Sequence, residues 1–259
     1  MASAHIFPKQ AIALHFRDEL RAARAVALDN AEDFAEILFV IERFGVQLTN
    51  SVDGLNAYSD KITQIANESP LAIGCDELPP TWQIDFRRLY EVVKDARNDA
   101  LHTGAYARHL TSCSIDLALV LEDALMSNST LVRDFMVKNP LISFEWQPLA
   151  IIRQSMLANS FSYLPYHDSA AGDWIWISDF ELARCLRSAT SKTKRKELLA
   201  LPLEVAVKGG KIKALKAEIC HPDDSVSTAL DRSNGSPILV LENDTKNGVA
   251  GILTPFDIL

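Results

Sequence analysis

Arg97, Asn98 and His102 are the residues of this chain whose types and spacing most directly suggest chemistry. The run Arg97-Asn98-Asp99-Ala100-Leu101-His102 sets a guanidinium and an imidazole about one helical turn apart. A permanent cation beside a group that titrates near neutrality suits metal-independent cleavage of an RNA phosphodiester. His102 can withdraw the 2′-OH proton. Arg97 can grip the phosphate and neutralise charge developing on its non-bridging oxygens, and Asn98 can orient the phosphate or the imidazole. The products would be a 2′,3′-cyclic phosphate or 3′-phosphate and a 5′-OH. A structural account uses the same residues: Arg97 with its stem packed and its head in water, and His102 capping carbonyls at a helix end. With fourteen Arg and six His, one Arg-x(4–6)-His match is roughly a chance expectation; requiring Asn after the Arg lowers it to about 0.04.

Two further pairs stand far from this motif. Thr254 precedes Asp257 by three residues, and Ser178 precedes Glu181 by three, each hydroxyl at the end of a strand-like run. Thr254 Oγ1 and nearby backbone N–H groups can meet a phosphate at a helix N-terminus. Asp257 can accept hydrogen bonds from both hydroxyls of a ribose. Hydroxyl-x-x-carboxylate is equally an ordinary capping box.

These residues must be positioned by two differently patterned halves. From about Gln10 to Ser127 the chain reads as helical. Leu14, Leu20, Ala23 and Ala27 share a face, Asn30 is placed to cap the helix carrying Phe34, Ile37, Leu38, Ile41 and Phe44, and a third helix covers Val52 to Ala66. Prolines break the pattern from Ser69 to Pro80, after which Thr81 can cap a helix with Phe86, Leu89, Tyr90, Val93 and Ala96. A last helix runs from about Tyr106 to Met126, giving a four- or five-helix bundle. After Thr130 short β-type runs alternate with helices, and the same order recurs, over about 131–190 and 215–259. Lys192 to Lys196 reads as a charged linker between the copies, and Lys208-Gly209-Gly210-Lys211 as a hairpin. Trp146, Trp174 and Trp176 are expected to pack the repeated module.

Composition narrows the options. The chain is 48% hydrophobic and 23% charged, as soluble globular proteins are. No apolar run approaches the ~20 residues that span a bilayer, and the start lacks a secretory pattern, so the expected address is cytoplasmic. A net charge of −8 means that any RNA site must concentrate positive charge in a confined groove. The four cysteines are scattered without a Cys-x-x-Cys pair, and no His, Cys, Asp or Glu cluster has ligand spacing, so neither a metal nor a disulfide framework is expected. Arg87 and Lys94 share a face with Glu91 between them, the pattern of a solvated, salt-bridged surface.

Two family resemblances follow from these residues. The bundle with its Arg97-Asn98-x3-His102 motif before the last long helix resembles the HEPN domain. That resemblance implies a metal-independent endoribonuclease working as a homodimer, with both copies of Arg97, Asn98 and His102 meeting at one cleft on an RNA substrate. The segments Met136 to Ile142, Tyr163-Leu164-Pro165, Trp176-Ile177-Ser178, Pro237 to Val240 and Gly251 to Leu259 resemble a tandem pair of CBS motifs. That resemblance implies an adenine nucleotide (AMP, ADP or ATP) as a regulatory ligand, with no cofactor for catalysis. Thr254 and Asp257 would take phosphate and ribose, and Pro237 and Ile238 would line the base pocket. Ser178 and the longer Glu181 make the first cleft the weaker one, and the second motif stops at Leu259, where the family continues its helix. The fold expected is α+β in two domains: an all-α HEPN-like bundle over 1–128 and an α/β tandem CBS pair over 129–259. Nucleotide binding would then change how two bundles face each other, as in a toxin-like ribonuclease tied to energy charge. Neither the RNA, the nucleotide nor an antitoxin partner is named by the sequence. The alternative is a non-catalytic nucleotide-sensing regulatory or partner-binding protein.

Overall fold

A computed structural model describes residues 7–73, 79–99, 104–233, 235–243 and 248–259. The chain divides into two compact units, Met1–Ser129 and Thr130–Leu259.

The first unit is built from α1 (Gln10–Asp29), α2 (Ala35–Thr49), α3 (Leu55–Ala66), α4 (Phe86–Asp99) and α5 (Gly104–Met126). The inward line of α1 is Ala13, Phe16, Leu20, Ala23 and Ala27; Leu14 stands at its edge. This three–four alternation is the seam on which a straight helix packs against neighbours. Asn30 caps a 3-10 turn, Ala31–Phe34, accepting from the N–H of Glu32 before α2 begins. The third helix starts at Leu55 rather than Val52 because the preceding turn is held from within. The buried Tyr58 hydroxyl accepts from the N–H groups of Asp53 (2.6 Å) and Gly54 (3.1 Å) and donates to the Ser51 carbonyl (2.9 Å). Thr81 does not cap α4. It lies in a separate 3-10 turn, Pro80–Trp82, and Asp85 caps α4 by accepting from the Arg88 N–H at 3.0 Å. The α5 helix packs on α1 and α4, and its buried Glu122 receives two hydrogen bonds of 2.9 Å from Arg24 of α1.

The second unit comprises α6 (Val132–Phe135), β1 (Val137–Lys138), α7 (Leu149–Asn159), β2 (Tyr163–Asp168), β3 (Asp173–Ser178), α8 (Asp179–Arg187), α9 (Lys192–Ala200), α10 (Leu203–Lys208), β4 (Leu215–Lys216), β5 (Glu218–Cys220), α11 (Val226–Arg232), β6 (Ile238–Leu241), β7 (Val249–Leu253) and α12 (Pro255–Ile258). Two structural corrections concern the connection between the copies. Lys192 to Lys196 is a helix, capped by Ser191, rather than a linker, and Gly209-Gly210 ends α10 rather than turning a hairpin. Gly-Gly serves both ends equally because either needs the positive φ that Gly210 adopts, +65°.

Each copy completes the sheet of the other. The first-copy sheet runs β2-β3-β4, with Ser143 bridged to Tyr166 on its outer side, and the second runs β1-β7-β6-β5. Thus β4, the lead-in of the second copy, pairs with β3 of the first. Reciprocally, β1, the lead-in of the first copy, pairs with β7 of the second, Val137 opposite Ile252 and Lys138 opposite Gly251. The short helices before these strands follow the same rule: Leu203 N–H donates to the Gln147 carbonyl, and Arg133 N–H to the Pro222 carbonyl. Side chains alternate along β3, so Ile175 and Ile177 join the core with α7 and α8, while Trp174 and Trp176 face the second sheet. There they pack with Leu239 and Leu241 of β6. Burying two indoles in this layer ties the copies together over apolar surface.

Candidate functional site

The register of β6 against β7 gathers the second-copy residues. Ile238 stands opposite Leu253, which places Pro237 beside Thr254 at one end of the sheet. Thr254 is the N-cap of the one-turn helix α12. Asp257 folds back onto it: its Oδ2 accepts from the Thr254 N–H and from Thr254 Oγ1, both at 2.7 Å. Thr254 and Asp257 are both half-buried. Hydroxyl, carboxylate and Pro237 are therefore brought to one end of the sheet although Pro237 and Thr254 are 17 positions apart in the sequence. Ile238 is differently placed. Leu239 faces the other sheet, so Ile238, only 2% exposed, is buried on the opposite face of β6 from Pro237.

The first copy repeats this layout with altered chemistry. Ser178 caps α8, its Oγ accepting from the Glu181 N–H at 3.2 Å. The Glu181 carboxylate does not return to the cap. It receives the Arg184 guanidinium (Nε at 3.1 Å) and the Lys213 N–H (3.0 Å), and the hydrogen bond from Arg184 chiefly holds it below the usual carboxylate range. The extra methylene lets Glu181 reach the loop before β4, where the shorter Asp257 reaches only its own turn.

Register also reveals residues that sequence reasoning missed. Leu164 stands opposite Ile177 as Ile238 stands opposite Leu253, so Tyr163 is the counterpart of Pro237. Its ring meets Trp176 edge-on at 6.2 Å. The indole N–H groups of Trp174 and Trp176 are buried and find no acceptor among the described residues. The alternation Trp174-x-Trp176-x-Ser178 was the available signal that these side chains share a face. Trp146 departs from expectation: it is 70% exposed and stacks on Phe144 at 6.2 Å instead of packing the module.

In the first unit, Arg97 and Asn98 belong to the last turn of α4. Their side chains, and His102 altogether, lie outside the described residues. Nearby on α4 the cations are engaged as the charge pattern suggested, Arg87 with Asp60 and Lys94 with Glu91. Helices α4 and α5 also border an open cleft of about 330 Å³ that includes Asp85, Arg88, His109, Cys113 and Asp116. Cys113 Sγ lies 3.8 Å from His109 Nε2, and burial pushes both the Cys113 thiol and the Asp116 carboxyl up. Among the described residues no group of three His, Cys, Asp or Glu side chains could hold a metal ion, and no helix is long and apolar enough to cross a membrane.

No protein-family model matches the chain, and no curated protein does. Among solved structures the chain is similar to a putative acetoin utilization protein (AcuB) from Vibrio cholerae, with 16% identity, 49% of this chain and 86% of that chain covered, and a TM-score of 0.38. It is similar to a CBS-domain-containing protein from Agrobacterium tumefaciens, with 14% identity, 50% and 91% covered, and a TM-score of 0.37. A third is CBSX2, from Arabidopsis thaliana, solved in complex with AMP: 16% identity, 49% and 92% covered, TM-score 0.33. The C-terminal half is the part that matches these structures.

Proposed function

We propose that the second unit is a nucleotide-sensing module of CBS-pair type, and that the chain acts as a regulator through it. The observation that carries this reading is the convergence of Pro237, Thr254 and Asp257 at one end of a sheet whose outer strand comes from the other copy. An adenine nucleotide would set its base against Pro237, its ribose hydroxyls on Asp257 and its phosphate on Thr254 Oγ1. Binding is an exchange of hydrogen bonds. Thr254 Oγ1 now donates to Asp257; a phosphate oxygen would take that donor, and ribose O–H groups would replace it at the carboxylate. The backbone N–H of Thr254 keeps Asp257 in place throughout. A signal has a short route out, because Thr254 follows β7, β7 pairs with β1, and β1 continues through α6 to the segment after α5. A coupling of about 1–3 kcal/mol is the usual scale for such linkage. Calorimetry with AMP, ADP and ATP tests the proposal: wild type should bind at least one, and Asp257→Ala should weaken it tenfold or more. Equal binding by the variant removes Asp257 from the site.

A second reading, a dimeric metal-independent endoribonuclease using Arg97, Asn98 and His102, is supported by one observation. Arg97 and Asn98 lie in the last described turn of α4, ahead of the long helix α5, with His102 outside the described residues. Total RNA incubated in EDTA with wild type, Arg97→Ala and His102→Ala is the test. Cutting by wild type alone supports the enzyme, and no cutting by any of the three leaves the regulatory reading.

A further inference from the structure

The charge of this chain is strongly segregated. Between Arg184 and Lys216 there are ten Lys and Arg and only two carboxylates, Glu197 and Glu204, a local net of +8 in a chain whose total is −8. All ten cations are exposed. Three are neutralised in place: Arg184 by Glu181, Lys208 by Glu204 and Lys216 by Asp173. The other seven, Arg187, Lys192, Lys194, Arg195, Lys196, Lys211 and Lys213, make no ion pair among the described residues.

The fold brings these seven to one surface. Arg187 is in the last turn of α8, and α9 follows after four residues and packs against both α7 and α8. The loop carrying Lys211 is fixed beside α8 by the Lys213 N–H bond to Glu181, and the charge of Lys211 acts on Cys185 of α8. On α9 none of the residues is buried; Leu198 and Leu199 alone lean on the core, and residues 192–197 all face solvent.

We propose that α9, with the end of α8 and the 208–213 loop, is a docking surface for the phosphodiester backbone of a single-stranded nucleic acid. Unpaired, closely spaced cations gain most from a chain of phosphates, because each contact releases condensed counterions. An anionic membrane fits less well: a helix lying on lipid carries large apolar side chains on its buried face, whereas α9 exposes none. None of these cations belongs to the Thr254–Asp257 pair or to the Arg97 motif.

The test is fluorescence anisotropy of the full chain with labelled 20-nucleotide oligo(U) RNA and oligo(dT) DNA. The DNA arm has no 2′-OH and reads binding apart from any cleavage. With about four phosphates neutralised, raising salt from about 50 to 200 mM should weaken binding by about 50-fold. Replacing Lys192, Lys194, Arg195 and Lys196 together by Ala should abolish most of the affinity and of the salt dependence. Ala keeps the helix, and an unchanged Tm confirms it. Changing the three lysines to Arg should preserve binding. The proposal is overturned if wild type binds neither oligonucleotide at 50 mM salt, if the alanine variant binds as wild type does, or if phosphatidylserine vesicles are bound in place of both oligonucleotides.

Discussion

Gly251 tests the exchange of strands on which the site depends. It sits on β7 between Lys138 of β1 and Val240 of β6. A Cβ there would lie 2.7 Å from the Val137 carbonyl oxygen, 2.9 Å from Met136 Sδ and 3.0 Å from Met136 Cγ. The methionine can swing aside, but the carbonyl belongs to the backbone of β1, so the strand must retreat by about half an ångström. Overpacking of this kind costs about 1–3 kcal/mol. Against it stands a gain of roughly 0.5–1 kcal/mol from replacing glycine within a strand. The net expectation for Gly251→Ala is a loss of about 1–2 kcal/mol, and for Gly251→Val more. In a unit of this size that corresponds to a Tm lower by roughly 3–10 °C in scanning calorimetry. Nucleotide affinity should fall as well, because Thr254 follows three residues later on the displaced strand. If Gly251→Ala is as stable as wild type, or more stable, β1 does not press on β7 and the exchange is wrong.

Two further outcomes are expected. Gly45→Ala would place a Cβ 2.3 Å from Cγ and Cδ2 of Tyr58, whose hydroxyl is held by three hydrogen bonds; urea denaturation should show the bundle losing about 3 kcal/mol. Burial pushes the Cys220 thiol up to about 11, while an unfolded thiol ionises near 9. The unfolded state therefore gives up the proton first, and the stability from keeping this thiol neutral is complete below pH 9 and lost as pH rises towards 11. Unfolding free energies measured across that window should decline less steeply in Cys220→Ala than in wild type.

Legibility in the sequence followed the range of the interactions. The helices of the bundle were readable because Ile37, Leu38, Ile41 and Phe44 repeat within one turn of each other and all are buried. Val52 misled because it is apolar yet 87% exposed; the turn after it is set by the phenol of Tyr58, six residues on. Helix α9 has no apolar period beyond Leu198 and Leu199, so its composition reads as a linker. Strand β1 is two residues long with both exposed, and its partner is more than 100 residues away. No local pattern announces such a strand. In the site, Thr254 and Asp257 were legible because their bond spans three residues. The Arg184 that occupies Glu181 was also within reach at three residues, but the Lys213 N–H and the Tyr163 counterpart of Pro237 appear only through strand register.

The central claim is that Asp257 holds the ribose of an adenine nucleotide. Binding of AMP and of 2′,3′-dideoxy-AMP, measured by calorimetry on wild type and Asp257→Ala, tests it most directly. Hydrogen bonds to a carboxylate contribute about 1.5–3 kcal/mol, so the two hydroxyls should strengthen binding to wild type by about tenfold or more and make no difference to the variant. If removing the hydroxyls weakens binding to both proteins equally, or to neither, Asp257 does not carry the ribose and the account fails.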